Sequence, residues 1–208
     1  MRYMVLLLSL MASLAQAETV EQLMTKLNAI QNDPKLYESA LYRAEQRSVL
    51  CGHCHGVDGN SKRDHIPNLA SQRAEYLLTQ FELFGNGKRH DYVMSKLAKT
   101  LSEDERVDIA IFFSHQAVVP RESSAPGPLL AKGKKTYEAT CVACHGADAY
   151  GQGLQPRLAS QPVQYLVNTL QTYRDDPSVR PLSAMHDIAG KLSDGEISAL
   201  AAYLSSLP

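Results

Sequence analysis

The chain has 208 residues, of which 44% are hydrophobic and 21% charged, and its formal net charge is −1. A chain of this length forms one large domain or two domains of roughly 100 residues each. The near-zero net charge provides no basic surface for gripping nucleic acid, and the 4 cysteines are too few for a disulfide-rich scaffold.

Residues 1–17 have the features of a cleavable signal peptide. Arg2 gives the N-terminal region a positive charge, residues 5–15 form a short apolar segment, and Ala15-Gln16-Ala17 is a small-x-small cleavage site. An uncleaved membrane anchor is the alternative, but this segment is short beside the ~20 apolar residues that a membrane span needs. We therefore expect export to the periplasm, with a net charge of −2 after cleavage because Arg2 is lost.

Residues 18–40 are predicted to form an N-terminal helical extension. Asp33-Pro34 is typical of a helix start, since Asp is a good N-cap and proline fits the first helical position. The extension has no counterpart later in the chain. Two helices that pack on the neighbouring domain are the favoured interpretation, and a docking element for a partner is the alternative.

Residues 41–115 and 129–208 are predicted to be two copies of one domain. A Cys-x-x-Cys-His-Gly motif that begins at Cys51 recurs ninety positions later, beginning at Cys141. The segment Pro-x-Leu-Ala-Ser-Gln recurs in the same way after each motif. Between the copies, residues 116–128 are rich in proline, glycine and serine, which is typical of an exposed linker.

Both copies are expected to be all-α. Residues 74–84 and 162–173 place apolar side chains at helical spacing. Further on, Ser102 and Ser193 are each followed three residues later by a glutamate, which is the pattern of a capping box at the start of a helix. No alternating pattern of useful length favours a β-strand.

Each Cys-x-x-Cys-His motif matches the attachment site of a covalently bound haem c. Two thiols one helical turn apart can form thioethers with the two vinyl groups of one porphyrin, and the histidine that follows can bind the iron. The candidate residues are Cys51, Cys54 and His55 in the first copy, and Cys141, Cys144 and His145 in the second.

Three alternatives for the cysteines were weighed against haem attachment. Cys51-Gly-His-Cys54 also occurs in disulfide isomerases, but there the pair lies in a βαβ context. A four-cysteine zinc site would leave both histidines unexplained. Two structural disulfides would fit an exported chain. The repetition of the whole Cys-x-x-Cys-His unit favours two haem c groups.

Met94 and Met185 are the candidate sixth ligands of the two irons. Met94 lies 43 residues after Cys51, and Met185 lies 44 residues after Cys141. A lone methionine is usually core filler, but matched spacing behind two haem motifs favours a ligand role. His186 is the competing ligand in the second copy, and it would lower the reduction potential, whereas a methionine raises it.

With these motifs the chain resembles the class I c-type cytochromes, and within them the dihaem cytochrome c4 family, over roughly residues 41–208. The resemblance rests on the two haem motifs, the two Pro-x-Leu-Ala-Ser-Gln segments and the two late methionines. It implies two small helical domains packed face to face, each with one haem c, and haem propionates near the interface. It also implies that the carbonyls of Pro67 and Pro156 fix the N–H groups of the axial histidines.

The first copy departs from the class I pattern. Class I domains bring a glycine and an aromatic residue into the helix before the haem motif, where it crosses the last helix. The second copy has Gly133 and Tyr137 there, opposite Tyr203, whereas the first copy has Arg43 and Arg47 at the matching places. We therefore expect the first domain to pack its terminal helices differently, with help from the N-terminal extension.

Two haems with histidine and methionine ligands predict a soluble periplasmic carrier of single electrons. An enzyme is disfavoured because catalysis at haem needs an open coordination position. The resemblance implies respiratory partners such as a bc1-type donor and a terminal oxidase. A cytochrome subunit of a larger dehydrogenase or oxidase complex and a dihaem peroxidase are the alternatives. The mature charge of −2, made more negative by four haem propionates, favours a partner with a basic face.

Overall fold

The computed structural model describes residues 19–181 and 183–208, so the predicted signal peptide lies outside the described residues. Within those ranges the chain folds into eleven α-helices and contains no β-strand, as predicted. The first half contains α1 Val20–Gln31, α2 Pro34–Arg47, α3 Val49–His55, α4 Ala74–Gly85, α5 Met94–Thr100 and α6 Glu103–His115. The second half contains α7 Gly127–Thr140, α8 Val142–His145, α9 Val163–Asp175, α10 Met185–Ala189 and α11 Asp194–Ser206.

The helices form two domains, each around its own hydrophobic core. The first core includes Leu78, Ile109 and Phe113, and the second includes Ile197 and Leu200; all five side chains are buried. Between α6 and α7 the chain contains no helix over residues 116–126. No helix in the described part of the chain is long and apolar enough to cross a membrane.

The N-terminal extension packs into the first core. Leu23 and Leu27, on the inner side of α1, are fully buried. Asp33 caps α2, because its side chain accepts hydrogen bonds from the backbone N–H groups of residues 35 and 36. Helix α2 then continues without a break across the predicted boundary between residues 40 and 41. The extension and the first domain therefore share one helix.

The last helix of each domain begins at a capping box. Ser102 Oγ accepts a hydrogen bond from the Glu105 N–H, and the Glu105 carboxylate accepts one from the Ser102 N–H. Ser193 and Glu196 form the same pair at the start of α11. Both predicted capping boxes are confirmed, and α4 and α9 occupy the two segments with apolar helical spacing.

In the second domain, a glycine lets α7 cross close to α11. A Cβ added at Gly133 would lie 2.0 Å from the Ala199 carbonyl oxygen, so no larger residue fits without a shift of backbone. One turn later, Tyr137 is fully buried with its ring centroid 5.9 Å from that of Tyr203. Its hydroxyl donates a hydrogen bond of 2.6 Å to the Gly146 carbonyl, directly after the haem motif.

The first domain packs the corresponding helices with alanines and ion pairs. Arg43 makes a bidentate pair with the buried carboxylate of Asp108 on α6, at 2.6 and 2.8 Å. Arg47 pairs with Glu105, one turn earlier on α6. Ala44, between the two arginines, is fully buried. Buried small residues of α2 and charge-assisted hydrogen bonds to α6 therefore take the place of the glycine and tyrosine of the second domain.

The two helices end at different distances from the haem motif. Helix α2 ends at Arg47, four residues before Cys51, whereas α7 ends directly before Cys141. Ala40 and Ala44 of α2 are both fully buried, whereas the side chain of Arg43 is 53% exposed. The expectation that the first domain packs differently is correct, but the arginines flank the crossing and do not occupy it.

Replacing Gly133 with alanine should destabilise the second domain. The added Cβ would overlap the Ala199 carbonyl, and overpacking of this kind typically costs about 1–3 kcal/mol. Urea unfolding of the holoprotein measures the loss. Gly127→Ala is the matched control, because nothing lies within 4 Å of the new Cβ, and it should change stability by less than about 0.5 kcal/mol. Equal stability of the two variants would contradict the close crossing.

Candidate functional site

One continuous cavity of about 820 Å³ lies between the two domains and extends into both. Its size falls within the range of about 300–1,000 Å³ that is usual for ligand and cofactor sites. Eight of the residues predicted from the sequence line its wall: Cys54, His55, Pro67 and Met94 from the first domain, and Cys144, His145, Pro156 and Met185 from the second. Cys51 and Cys141 lie behind the wall, partly buried against the two cores.

The two motif histidines are held in the same way. His55 Nδ1 lies 2.9 Å from the Pro67 carbonyl oxygen, and His145 Nδ1 lies 3.0 Å from that of Pro156. A carbonyl only accepts hydrogen bonds, so Nδ1 carries the proton and Nε2 keeps its lone pair. Burial lowers the pKa of both imidazoles, which favours the neutral ring. Each histidine is therefore prepared to bind a metal through Nε2.

The four cysteines lie where the haem motifs predict them. Cys51 and Cys54 are on α3, whereas Cys141 caps α8 and Cys144 lies on it. All four are free thiols. Burial raises the pKa of the Cys51 thiol, and it raises the pKa of Cys141 to about 11.

This arrangement does not suit the alternatives for the cysteines. No group of three or more histidine, cysteine or acidic residues in the described ranges is arranged to hold a metal ion, so the motifs do not form a joint zinc site. The described chain also lacks the strands of a βαβ unit, in which a disulfide isomerase pair would lie. The two motifs serve two separate places on the cavity wall.

The two methionines occupy equivalent positions at the starts of short helices. Met94 is the first residue of α5 and Met185 the first of α10, and both line the cavity. The Met94 N–H donates to the Asp91 carboxylate at 2.8 Å, and the Met185 N–H donates to Ser183 Oγ at 3.3 Å. A side chain just before each helix thus accepts a hydrogen bond from the methionine N–H and fixes where the helix begins.

His186 is engaged elsewhere. Its Nδ1 lies 2.7 Å from the Tyr173 carbonyl oxygen, and its Nε2 lies 2.7 Å from the Arg180 carbonyl oxygen. With both ring nitrogens at backbone carbonyls, neither is available to a metal. Met185 is therefore the better placed of the two candidate ligands.

A reciprocal set of hydrogen bonds joins the two domains, and sequence reasoning missed it. Gln161 accepts a bond from the Asn68 N–H at 3.0 Å and donates one to the Asn68 carbonyl at 2.9 Å. Gln72 does the same with Arg157, at 2.7 and 3.0 Å. All four residues are buried. The repeated glutamine at the end of each Pro-x-Leu-Ala-Ser-Gln segment was the available signal.

The serine before each glutamine adopts a left-handed backbone conformation, with φ of 50° at Ser71 and 58° at Ser160. Such a conformation costs a non-glycine residue on the order of 1 kcal/mol. Ser71 Oγ donates to the Gln116 carbonyl at 2.8 Å, and Ser160 Oγ donates to the Leu207 carbonyl at 2.6 Å. The end of each domain's last helix thus holds the turn that directs the glutamine across the interface.

Two arginines that the sequence reading also missed line the cavity together with two tyrosines. Arg89 and Arg180 each lie five residues before a candidate methionine. Tyr76 and Tyr165 also occupy equivalent positions, each four residues after the repeated glutamine. Arg89 donates to the Gln80 amide oxygen at 2.6 Å, and Arg180 donates to the Tyr173 hydroxyl. Neither guanidinium has a carboxylate partner within 4.0 Å in the described residues.

The donor set fits haem c in both domains. Each half of the cavity offers one motif cysteine on its wall with the other packed behind it, a buried imidazole with a free Nε2, and a thioether. The remaining wall is largely apolar, with Phe81 and Phe84 on one side and Leu166 and Leu170 on the other. Soft thioether and imidazole ligands are those of the electron-transferring cytochromes c.

Comparisons with known proteins agree with this geometry. The family model described as Cytochrome c matches residues 130–208. Cytochrome c4 of Pseudomonas aeruginosa is 32% identical over 78% of this chain and 86% of that protein. The crystal structure of reduced recombinant cytochrome c4 from Pseudomonas stutzeri superposes with a TM-score of 0.70 at 28% identity, covering 80% of this chain and 98% of that one.

A further relative bears on partners. The protein named thiosulfate dehydrogenase electron acceptor from Thiomonas intermedia is 29% identical over 79% of this chain and 82% of its own length. Two all-α cytochrome c domains, two haem c groups and a role as an electron carrier rather than an enzyme follow from these relationships. The chain belongs to the cytochrome c4 family.

Proposed function

We propose that the mature protein is periplasmic and shuttles single electrons between respiratory redox partners. The observation that carries this proposal is the repeated wall of the cavity, in which each domain presents one motif cysteine, the motif histidine and a methionine. Because each domain presents both a histidine and a methionine, two protein ligands would hold each iron and leave no open position for a substrate. The signal-peptide features of residues 1–17 support export.

Cys51 and Cys54 would hold one haem by thioether bonds, and Cys141 and Cys144 would hold the other. His55 with Met94 would bind the first iron, and His145 with Met185 would bind the second. Support comes from the hydrogen bonds of the two histidines to Pro67 and Pro156, which fix ring orientation and leave Nε2 for iron. When bound, the haem supplies one-electron chemistry, and the protein supplies the ligands and a largely apolar surrounding.

The arginines and tyrosines of the cavity bind the haem propionates. Arg89 and Arg180 are charged at all physiological pH values and have the planar donor fork that suits carboxylates. They lie in the cavity shared by the domains, without carboxylate partners in the described residues. Propionates would provide the missing counter-charges near the interface.

The purified protein should contain two covalently bound haems per chain. Each requires one Cys-x-x-Cys-His motif, so the pyridine haemochrome assay after acid-acetone extraction should return two haems, and the mass should match a chain that begins at Glu18 plus both. Haem that is extracted by the solvent, or a single haem per chain, would contradict the assignment of both motifs.

Replacing Met185 with alanine should remove about half of the ferric methionine charge-transfer band near 695 nm. The affected haem should bind carbon monoxide, and its reduction potential should fall because the thioether ligand is lost. Met94→Ala should do the same to the other haem. Visible spectra, carbon monoxide titration and potentiometry measure these changes.

His186→Ala is the control for the methionine variants, since both ring nitrogens of His186 already lie at backbone carbonyls. This variant should keep the full charge-transfer band. If it loses half of the band while Met185→Ala keeps it, then His186 rather than Met185 is linked to the iron.

The partner class has two sources of support. Membership of the cytochrome c4 family supports exchange with respiratory complexes such as a bc1-type donor and a terminal oxidase. The relatives named thiosulfate dehydrogenase electron acceptor support a second candidate function, the acceptance of electrons from a thiosulfate dehydrogenase. The test is to mix the oxidised holoprotein with a purified thiosulfate dehydrogenase and thiosulfate. Rapid reduction of the haems would support the second candidate, and no reduction would contradict it.

The surface beside Met94 is the proposed docking face for such partners. Tyr92 is 80% exposed and Val93 is 51% exposed, although both are apolar. Lys96 and Lys99 are exposed on α5, and the Lys96 ammonium lies 3.8 Å from the centroid of the Tyr92 ring. An apolar centre with basic residues around it suits an acidic partner surface.

The second domain does not repeat this face. Residues 88–99 contain four basic residues and one acidic residue, whereas the matching residues 179–190 contain one of each. The positions that correspond to Tyr92 and Val93 are Ser183 and Ala184. Because surface charges are screened beyond about 8 Å at physiological salt, we expect this local basic surface, rather than the net charge that favoured a basic partner, to select the partner.

The double substitution K96E/K99E should slow oxidation of the ferrous holoprotein by hexacyanoferrate(III), a trivalent anion. We expect about a tenfold loss of second-order rate at low salt, because attraction becomes repulsion, and the difference should shrink as ionic strength rises. Stopped-flow spectroscopy measures both. K134E/K135E, on exposed lysines of α7, makes the same change of net charge and should alter the rate less than about twofold. Equal losses in the two variants would show that net charge, not the face beside Met94, controls the encounter.

A further inference from the structure

One peptide group lies between the axial histidine of the first domain and the glutamine of the second. The carbonyl of this group belongs to Pro67 and accepts the hydrogen bond from His55 Nδ1 at 2.9 Å. The N–H of the same group belongs to Asn68 and donates to Gln161 Oε1 at 3.0 Å. The peptide is therefore hydrogen-bonded on both sides, to its own domain's histidine and to the opposite domain's glutamine.

The arrangement recurs with the domains exchanged. The carbonyl of Pro156 accepts from His145 Nδ1 at 3.0 Å, and the N–H of Arg157 donates to Gln72 Oε1 at 2.7 Å. Gln72 is 4% exposed and Gln161 is 3% exposed, so bulk water does not compete for these bonds. The interface thus contains two relays of the same kind that run in opposite directions.

We propose that Gln72 and Gln161 are positioning residues that act across the domain interface, each strengthening the axial histidine of the opposite domain. The inference rests on the proposed assignment of His55 and His145 as iron ligands. It adds a function to the interface, because the contact that joins the domains also sets the electronic character of both sites.

The direction of the effect follows from the polarity of the peptide group. A hydrogen bond accepted from the peptide N–H draws electron density toward the carbonyl oxygen, and bonded chains of this kind reinforce one another. The carbonyl then accepts more strongly from Nδ1–H, which makes the imidazole a better donor to iron. A stronger donor favours ferric iron, so each glutamine lowers the reduction potential of the haem in the other domain.

The second hydrogen bond of each glutamine fixes the relay. Gln161 Nε2 donates to the Asn68 carbonyl at 2.9 Å, and Gln72 Nε2 donates to the Arg157 carbonyl at 3.0 Å. With its NH₂ group held in this way, the amide must present its oxygen to the peptide N–H. A rotated amide would place donor against donor and lose both bonds.

The test is the potential of each haem in the holoprotein with Gln161→Leu or Gln72→Leu. Gln161→Leu should raise the potential of the first-domain haem, and Gln72→Leu that of the second-domain haem. We expect about a threefold change in the reduction equilibrium constant, equivalent to about 28 mV at 59 mV per tenfold for one electron. Potentiometric titration measures both steps, and the Met94→Ala and Met185→Ala variants assign each step to a domain.

Two further variants separate the relay from simple packing. Gln161→Glu keeps an oxygen acceptor for the Asn68 N–H, so it should hold the first haem at or below its wild-type potential. Asn68→Ala removes a different cross-domain bond, in which Asn68 Nδ2 donates to the Ser160 carbonyl at 2.7 Å. It also removes the bond of 2.8 Å that Asn68 Oδ1 accepts from the Ser61 N–H, but it keeps the backbone N–H of residue 68. It should leave the potential of the first haem within 1.5-fold of wild type in the equilibrium constant.

The proposal requires that each glutamine variant shift the potential of the haem in the opposite domain. Unchanged potentials, a shift in the glutamine's own domain or equal shifts of both haems would overturn the proposal. The ligand assignment is tested separately, because a wild-type protein without the methionine charge-transfer band would contradict the His/Met ligands whatever the glutamine variants do.

Discussion

The hydrogen bond from a buried histidine to a proline carbonyl is the constraint on which both sites depend. It puts the proton on Nδ1 of His55 and His145 and so leaves Nε2 for iron. The bond also requires a carbonyl at a set place, eleven or twelve residues after the histidine. The loop that follows each haem motif, its left-handed serine and the end of the last helix all serve to place that carbonyl. A short segment therefore links the motif histidine to the core of its own domain and, through its glutamine, to the other domain.

Most features that are local in sequence were predictable from the chain alone. The haem motifs, both capping boxes and the Asp33 cap depend on residues within a few positions of one another, so their spacing is sufficient. The packing of α2 on α6 was not predictable in detail, because Arg43 and Arg47 pair with carboxylates that lie far away in sequence. The glutamine pairs and the arginines Arg89 and Arg180 were missed for a related reason. Their partners lie far away in sequence, and only the docking of the domains brings them together.

Duplication explains why the interface can be reciprocal. Two copies of one domain that meet through matching surfaces place equivalent residues opposite each other, as in a twofold-symmetric dimer. Gln72 and Gln161 accordingly bind Arg157 and Asn68, which are themselves a matched pair. The outer surfaces are under no such constraint, and they have diverged. Tyr92, Val93 and two lysines lie near Met94, whereas Ser183 and Ala184 stand at the positions that match Tyr92 and Val93. The molecule is thus symmetric where the two halves of the cavity meet and asymmetric at the proposed docking face.

The charges inside the shared cavity connect cofactor binding to the assembly of the two domains. Arg89 and Arg180 enter it from opposite sides, and no carboxylate in the described residues lies within salt-bridge distance of either. Enclosing an unpaired charge is costly, on the order of several kcal/mol after relaxation. Carboxylates brought by the haems would offset that cost at the place where the domains meet. The two guanidinium groups, one from each domain, therefore belong to one shared site, although each domain has its own hydrophobic core.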